Sequence, residues 1–119
     1  MNKLINVFKI LSDETRLRII ILLAQEELCV CQITGVLDVS QPKVSKSLSR
    51  LRDLNFVIDE RKDKFVFYKL KTENLILTST IKNIIDNLNE YPKLISDKSR
   101  LTDKEQYLNQ CCIENNILI

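Results

Sequence analysis

Between Leu17 and Ala24 the chain is apolar almost without a break: Leu17, Ile19, Ile20, Ile21, Leu22, Leu23 and Ala24, with Arg18 the single interruption. The run is far too short to span a membrane. As a helix it is apolar nearly all round, so other elements must wrap it on every side. A chain of 119 residues affords one such core. One Gly and two Pro leave few tight turns, so the wrapping elements should be mostly helices. Hydrophobic and charged fractions of 45% and 29% are those of a globular domain.

The flanking segments supply those helices. Leu4, Val7, Phe8 and Leu11 follow helical spacing, and Ser12 or Asp13 is placed to cap the central helix, with Glu14 in its first turn. Glu26-Glu27 is expected to open a third helix carrying Cys29, Val30, Ile33, Val36 and Leu37. Asp38-Val39-Ser40 is a short turn, Ser40 a good N-cap, and Pro42 falls in the first turn of a fourth helix. That helix keeps Val44, Leu48 and Leu51 on one face. Its other face presents Gln41, Lys43, Ser45, Lys46, Ser49 and Arg50. Two short helices around a three-residue turn, the second polar and basic outward, form a helix-turn-helix.

Phe56-Val57-Ile58 and Phe65-Val66-Phe67-Tyr68 read as strands around a turn at Lys62-Asp63-Lys64, where Asp63 accepts a left-handed backbone. A basic hairpin directly after the outward-facing helix is a wing. From Glu73 a helix is expected to carry Leu77, Ile81, Ile84, Ile85 and Leu88, an apolar stripe that reads as a dimer face, until Pro92 ends or bends it. The fold class is thus mainly α with a small β-hairpin: a winged helix-turn-helix forming a homodimer through its terminal helices. Residues 1–100 comprise the DNA-binding and dimerisation domain, and 101–119 a polar helical tail closing with Cys111-Cys112.

Charge is unevenly spread. Residues 40–71 hold nine Lys/Arg against four acids, a net +5, which leaves −3 for the rest of a chain totalling +2. A basic middle on an acidic body is the footprint of a polyanion site. Gln41 suits adenine and Lys43, Lys46 or Arg50 guanine, while Ser45 and Ser49 hydrogen-bond either base. Ser40 and Gln41, at a helix N-terminus, suit a phosphate. Arg61, Lys62 and Lys64 on the wing suit the backbone of double-stranded DNA. A solvated surface or a winged helix that contacts protein would carry similar charges; steep salt dependence separates DNA from both.

The N-terminus leads straight into an amphipathic pattern without a signal-like apolar segment, so the expected compartment is the cytoplasm, with no membrane partner and reduced thiols. Four cysteines there read as metal-binding, redox-sensing or plain core. Cys29-Val30-Cys31 and Cys111-Cys112 are the two pairs. Thiolates select soft ions. On one regular helix, residues two apart point about 200° away from each other, so Cys29 and Cys31 would converge on an ion only if the first turn unwound or tilted. A helix N-terminus favours the thiolate, whereas Glu26 and Glu27 oppose it.

Several runs together resemble the ArsR/SmtB family of metal-responsive bacterial repressors, in particular its arsenical-resistance branch. They are Phe8-Lys-Ile-Leu-Ser-Asp-Glu-Thr-Arg-Leu17, Glu27-Leu-Cys-Val-Cys31, Ser40-Gln-Pro-Lys-Val-Ser-Lys46, Leu48-Ser-Arg-Leu-Arg52 and the wing through Tyr68-Lys-Leu70. The resemblance covers roughly residues 3–71. It implies a homodimer that binds operator DNA and leaves it when arsenite or antimonite is bound by three sulfurs. Two departures stand out. Thr34 occupies the place where this branch often has a third cysteine, and the chain has no His for the zinc-type site of the other branch. The missing thiolate is then expected from Cys111 or Cys112. Cadmium or lead as inducer, and a thiol-redox switch, remain alternatives. A dithiol reductase fits poorly, since no Cys-x-x-Cys in a βαβ pattern and no glycine-rich loop is present.

Overall fold

The computed structural model describes residues 1–108. Helices α1 (Asn2–Leu11) and α2 (Glu14–Gln25) are followed by a two-residue strand, β1 (Leu28–Cys29). Next come α3 (Val30–Leu37), α4 (Gln41–Asp53) and the hairpin strands β2 (Val57–Lys62) and β3 (Phe65–Leu70). The described residues close with α5 (Leu75–Asp86), α6 (Pro92–Arg100) and a short helical stretch over 104–108.

Helix α2 is the central element. Ile19, Ile20, Ile21, Leu22 and Leu23 are all buried in one cluster with Val7, Ile33, Val36, Val44, Leu48, Leu51 and Leu77. Its start is fixed by Asp13, whose carboxylate accepts from the Arg16 backbone N–H at 2.9 Å. Arg18, the charge inside the apolar run, is buried and satisfied. Its Nε and Nη2 donate to the two carboxylate oxygens of Asp97 at 2.9 and 2.8 Å, and Nη2 also donates to the Leu37 carbonyl at 2.9 Å. One guanidinium thus joins α2 to α6 and to the end of α3, and its hydrogen bonds to the Asp97 carboxylate push the Arg18 pKa up.

The sheet departs from expectation in one respect. Leu28 and Cys29 are extended and pair antiparallel with Tyr68 and Phe67, giving the order β1-β3-β2. The third helix therefore starts at Val30, with Cys29 as its N-cap, and not at Glu26-Glu27. The physical reason is the open edge of β3: its backbone groups need partners, and the segment leaving α2 supplies them. The hairpin runs further than its apolar residues imply, through Asp59, Glu60, Arg61 and Lys62, and turns at Asp63 with φ 62°.

The helix expected from Glu73 to Leu88 is also shorter. It ends at Asp86, Leu88 sits in a separate 3-10 turn, and Pro92 opens α6. Leu77, Ile81 and Leu88 are buried against this chain's own core, so most of that stripe is not available to a second copy. Among the described residues the large apolar side chains left exposed are instead Met1, Leu4, Ile5 and Phe8 at and along α1 and Leu75 and Ile76 of α5, with Tyr91 and Ile95 elsewhere. Two of the described residues beyond α6 pack inward. Leu101 is buried, and Tyr107 covers Gly35 so closely that a Cβ there would fall inside its ring.

Candidate nucleic-acid interface and cysteine pocket

The turn between α3 and α4 is the three residues Asp38, Val39 and Ser40. Asp38 takes the left-handed backbone that stops α3 (φ 55°). Ser40 is the N-cap of α4, although its hydroxyl makes no capping bond and remains exposed. Val44, Leu48 and Leu51 lock the helix onto the core. Lys43, Lys46, Ser49 and Arg50 are exposed on the outer side, and Gln41 and Ser45 are half-buried at its margin. Arg52 bonds Asp59 of β2 at 3.1 Å, tying the helix to the wing.

On the wing Arg61, Lys62 and Lys64 are exposed. Lys62 is engaged twice: its ammonium donates to the Glu27 carboxylate at 3.2 Å and lies 5.6 Å from the centre of the Phe67 ring. Lys64 lies 6.0 Å from the centre of the Phe65 ring. The two rings therefore hold the wing cations on one side.

The same two rings pack against the cysteines. Cys29 (2% exposed) and Cys31 (6%) form a small buried cluster with Phe65, Phe67 and Leu108. Since Cys29 lies in β1 and caps α3, the two residues do not share a regular helix, and the 200° divergence drawn from helical geometry does not apply. No unwinding is needed on that ground. The Cys29 backbone N–H donates to Gln32 Oε1 at 3.1 Å, closing a capping box with the thiol. Burial pushes the Cys29 thiol up, outweighing the backbone N–H groups of Gln32, Cys31 and Cys29 itself that pull it down; the acid that adds to the rise is Glu105, not Glu26 or Glu27. Cys29 is a free thiol and Cys31 is disulfide-bonded. Cys111 and Cys112 lie outside the described residues. Among the described residues no group of three or more His, Cys, Asp or Glu converges on one point.

Sequence reasoning passed over Arg16, which lines a cleft with Lys43, Lys46 and Arg50. Only the tertiary packing of α2 against α4 brings it there, and its signal in the sequence was no more than a charge in a capped first turn.

Residues 13–59, from the cap of α2 to the start of β2, match the family model described as bacterial regulatory protein, arsR family. The arsenic resistance transcriptional regulator ArsR1 of Pseudomonas putida is 40% identical over 99 residues, covering 82% of this chain and 76% of that protein. The chain belongs to the arsR family. The arsenical resistance operon repressor of Escherichia coli is 49% identical to this arsR-family chain over 67 residues, 56% of the chain and 57% of the repressor. That second match spans little more than half of the relative. Among solved structures, HlyU from Vibrio cholerae superposes with a TM-score of 0.63 at 28% identity, covering 70% of this chain and 88% of HlyU. The arsR-family chain is therefore a winged helix-turn-helix regulator of transcription, with α3 and α4 as its helix-turn-helix and β2-β3 as its wing.

Proposed function

We propose that this arsR-family regulator is a repressor that binds operator DNA as a homodimer and is released by trivalent arsenic or antimony held on cysteine thiolates. The observation that carries it is the burial of Cys29 and Cys31 together, packed against the same Phe65 and Phe67 rings on which the wing lysines rest. An ion seated there would push on the wing and on the first turn of α3 at once. The kinship with arsenic-resistance regulators supports the choice of ion. Two sulfurs are two of the three donors such an ion takes, and Cys111 or Cys112 is the proposed third. Gln41, Lys43, Ser45, Lys46, Ser49 and Arg50 read the major groove, Ser40 holds a phosphate at the N-terminus of α4, and Arg61, Lys62 and Lys64 hold backbone. The exposed apolar residues of α1 and α5 form the dimer contact.

The test is release of the purified, reduced protein from the DNA upstream of its own gene, with arsenite, antimonite, cadmium and lead added separately. Arsenite or antimonite should release the wild type, while Cys29→Ser stays bound and keeps its DNA affinity within about twofold. Release by cadmium or lead alone would reassign the ion. Unchanged response in a Cys111→Ser/Cys112→Ser double variant would remove the tail from the ligand set.

The oxidised state of Cys31 favours a second reading, in which thiol oxidation alone releases DNA. Release by peroxide in metal-free buffer, reversed by dithiothreitol, would establish it in place of the metalloid.

A further inference from the structure

We propose that the cleft between the first turn of α2 and the flank of α4 holds one phosphate of the DNA backbone, with Arg16 as its inner ligand. This rests on the reading that α4 enters a DNA groove, and it adds a contact on the side opposite the wing.

The cleft has a volume of about 600 Å³ and is lined by Arg16, Lys43, Lys46 and Arg50, with Asp13 and Asp53 as the two carboxylates. Cations outnumber acids, and one acid is already committed: Asp13 Oδ2 accepts from the Arg16 backbone N–H at 2.9 Å. That same oxygen is 3.8 Å from Arg16 Nε, too far for a hydrogen bond. Arg16 Nε is a buried donor with no hydrogen-bond partner among the described residues. A donor kept from water without an acceptor is costly, and an incoming oxyanion would satisfy it. The positive end of α2 adds to the attraction. A guanidinium fork matches phosphate oxygens better than a point charge does.

The geometry of α4 says where that phosphate belongs. Residues advance about 100° each around a helix. With Val44, Leu48 and Leu51 facing the core, Lys46, Ser49 and Arg50 form the outer ridge. Ser45 and Arg52 fall on one flank, and Arg52 bonds Asp59 of the wing strand β2. Lys43 and Ser47 fall on the other flank and line the cleft with Arg16. A helix seated in a major groove about 12 Å wide has a phosphate rail on each side. The wing cations serve one rail, and the α2 cleft is positioned to serve the other.

Fluorescence anisotropy of the full-length chain, titrated over a range of salt against the DNA upstream of its own gene and an unrelated duplex, tests this. Arg16→Gln should weaken binding to both duplexes by about tenfold per bound protomer, as expected for a charge-assisted bond. The slope of log K against log salt should become less negative by about 0.9 per protomer. Arg16→Lys should recover most of the slope. Lys98→Gln, on exposed α6, should leave affinity and slope unchanged. If Arg16→Gln melts early, Arg16→Met, which keeps the apolar stem and removes the charge, is the substitute and should give the same signature. Wild-type affinity and slope in the folded variant would overturn the site, as would a loss confined to the gene's own sequence. A wild type that binds neither duplex would instead sink the repressor reading, and this site with it.

Discussion

Cys29 shows how burial and backbone compete at a single atom. Three backbone N–H groups pull its thiol toward ionisation, yet burial in the cluster with Phe65 and Phe67 wins and the thiol is pushed up. The folded state therefore keeps a proton that the unfolded chain gives up near the ordinary thiol value of about 8.5. By linkage, the stabilisation of wild type is fully present below that value and is lost as pH climbs through the raised folded value. Denaturant midpoints for wild type and Cys29→Ser, each measured from pH 7 to 10, should differ by a constant amount up to about pH 8.5 and converge above it. Parallel curves throughout would mean that the thiol is not shifted. Nothing in the spacing Cys29-Val30-Cys31 reveals this balance, because it depends on rings contributed by the wing.

At the scale of elements, the Arg18–Asp97 pair decides how the helices are held. Both side chains are almost fully buried, at 9% and 5% exposure, and Arg18 also donates to the last carbonyl of α3 before the turn. Removing one partner leaves the other charge buried and alone, which typically costs about 3–5 kcal/mol. Asp97→Ala should therefore lower the urea midpoint by that equivalent, while a double Arg18→Met/Asp97→Leu variant recovers much of it. A loss under about 1 kcal/mol would place the pair with ordinary surface bridges. The helix-turn-helix itself was legible: the Asp38-Val39-Ser40 turn, the apolar stripe of α4 and Asp63 in the wing turn all stand where local chemistry puts them. Strand β1 was not, because two residues carry no period, and their extended state comes only from the edge of β3.

For the whole molecule the open question is what covers the remaining apolar surface. Phe8 is 59% exposed and Leu75 77%, on helices that contact each other, and Leu4, Ile5 and Ile76 extend the patch. If a second copy covers it, Phe8→Glu should shift sedimentation from dimer to monomer at micromolar protein. The same change should weaken binding to a two-half-site DNA by at least tenfold, since the second half-site contact is then no longer intramolecular. Unaltered sedimentation would exclude this patch as the dimer face. The stripe along α5 misled sequence reasoning here. Leu77, Ile81 and Leu88 have the spacing of an interface, yet they are taken up by the chain's own core once α5 breaks at Asn87.

Sequence alone determined the central helix, the helix-turn-helix and the wing, because each is set by residues close together: caps, turn formers and apolar periods. It also determined the family, since those local runs are distinctive in combination. The tertiary structure decided the contents of the two sites. Cys29 left the helix for a sheet edge, the Phe65 and Phe67 rings came to touch both the cysteines and the wing lysines, and Arg16 came to line one cleft with Lys43 and Arg50. Those meetings depend on how α2, α4 and β3 pack around Leu17–Ala24, and packing brings together residues whose spacing along the chain carries no trace of it.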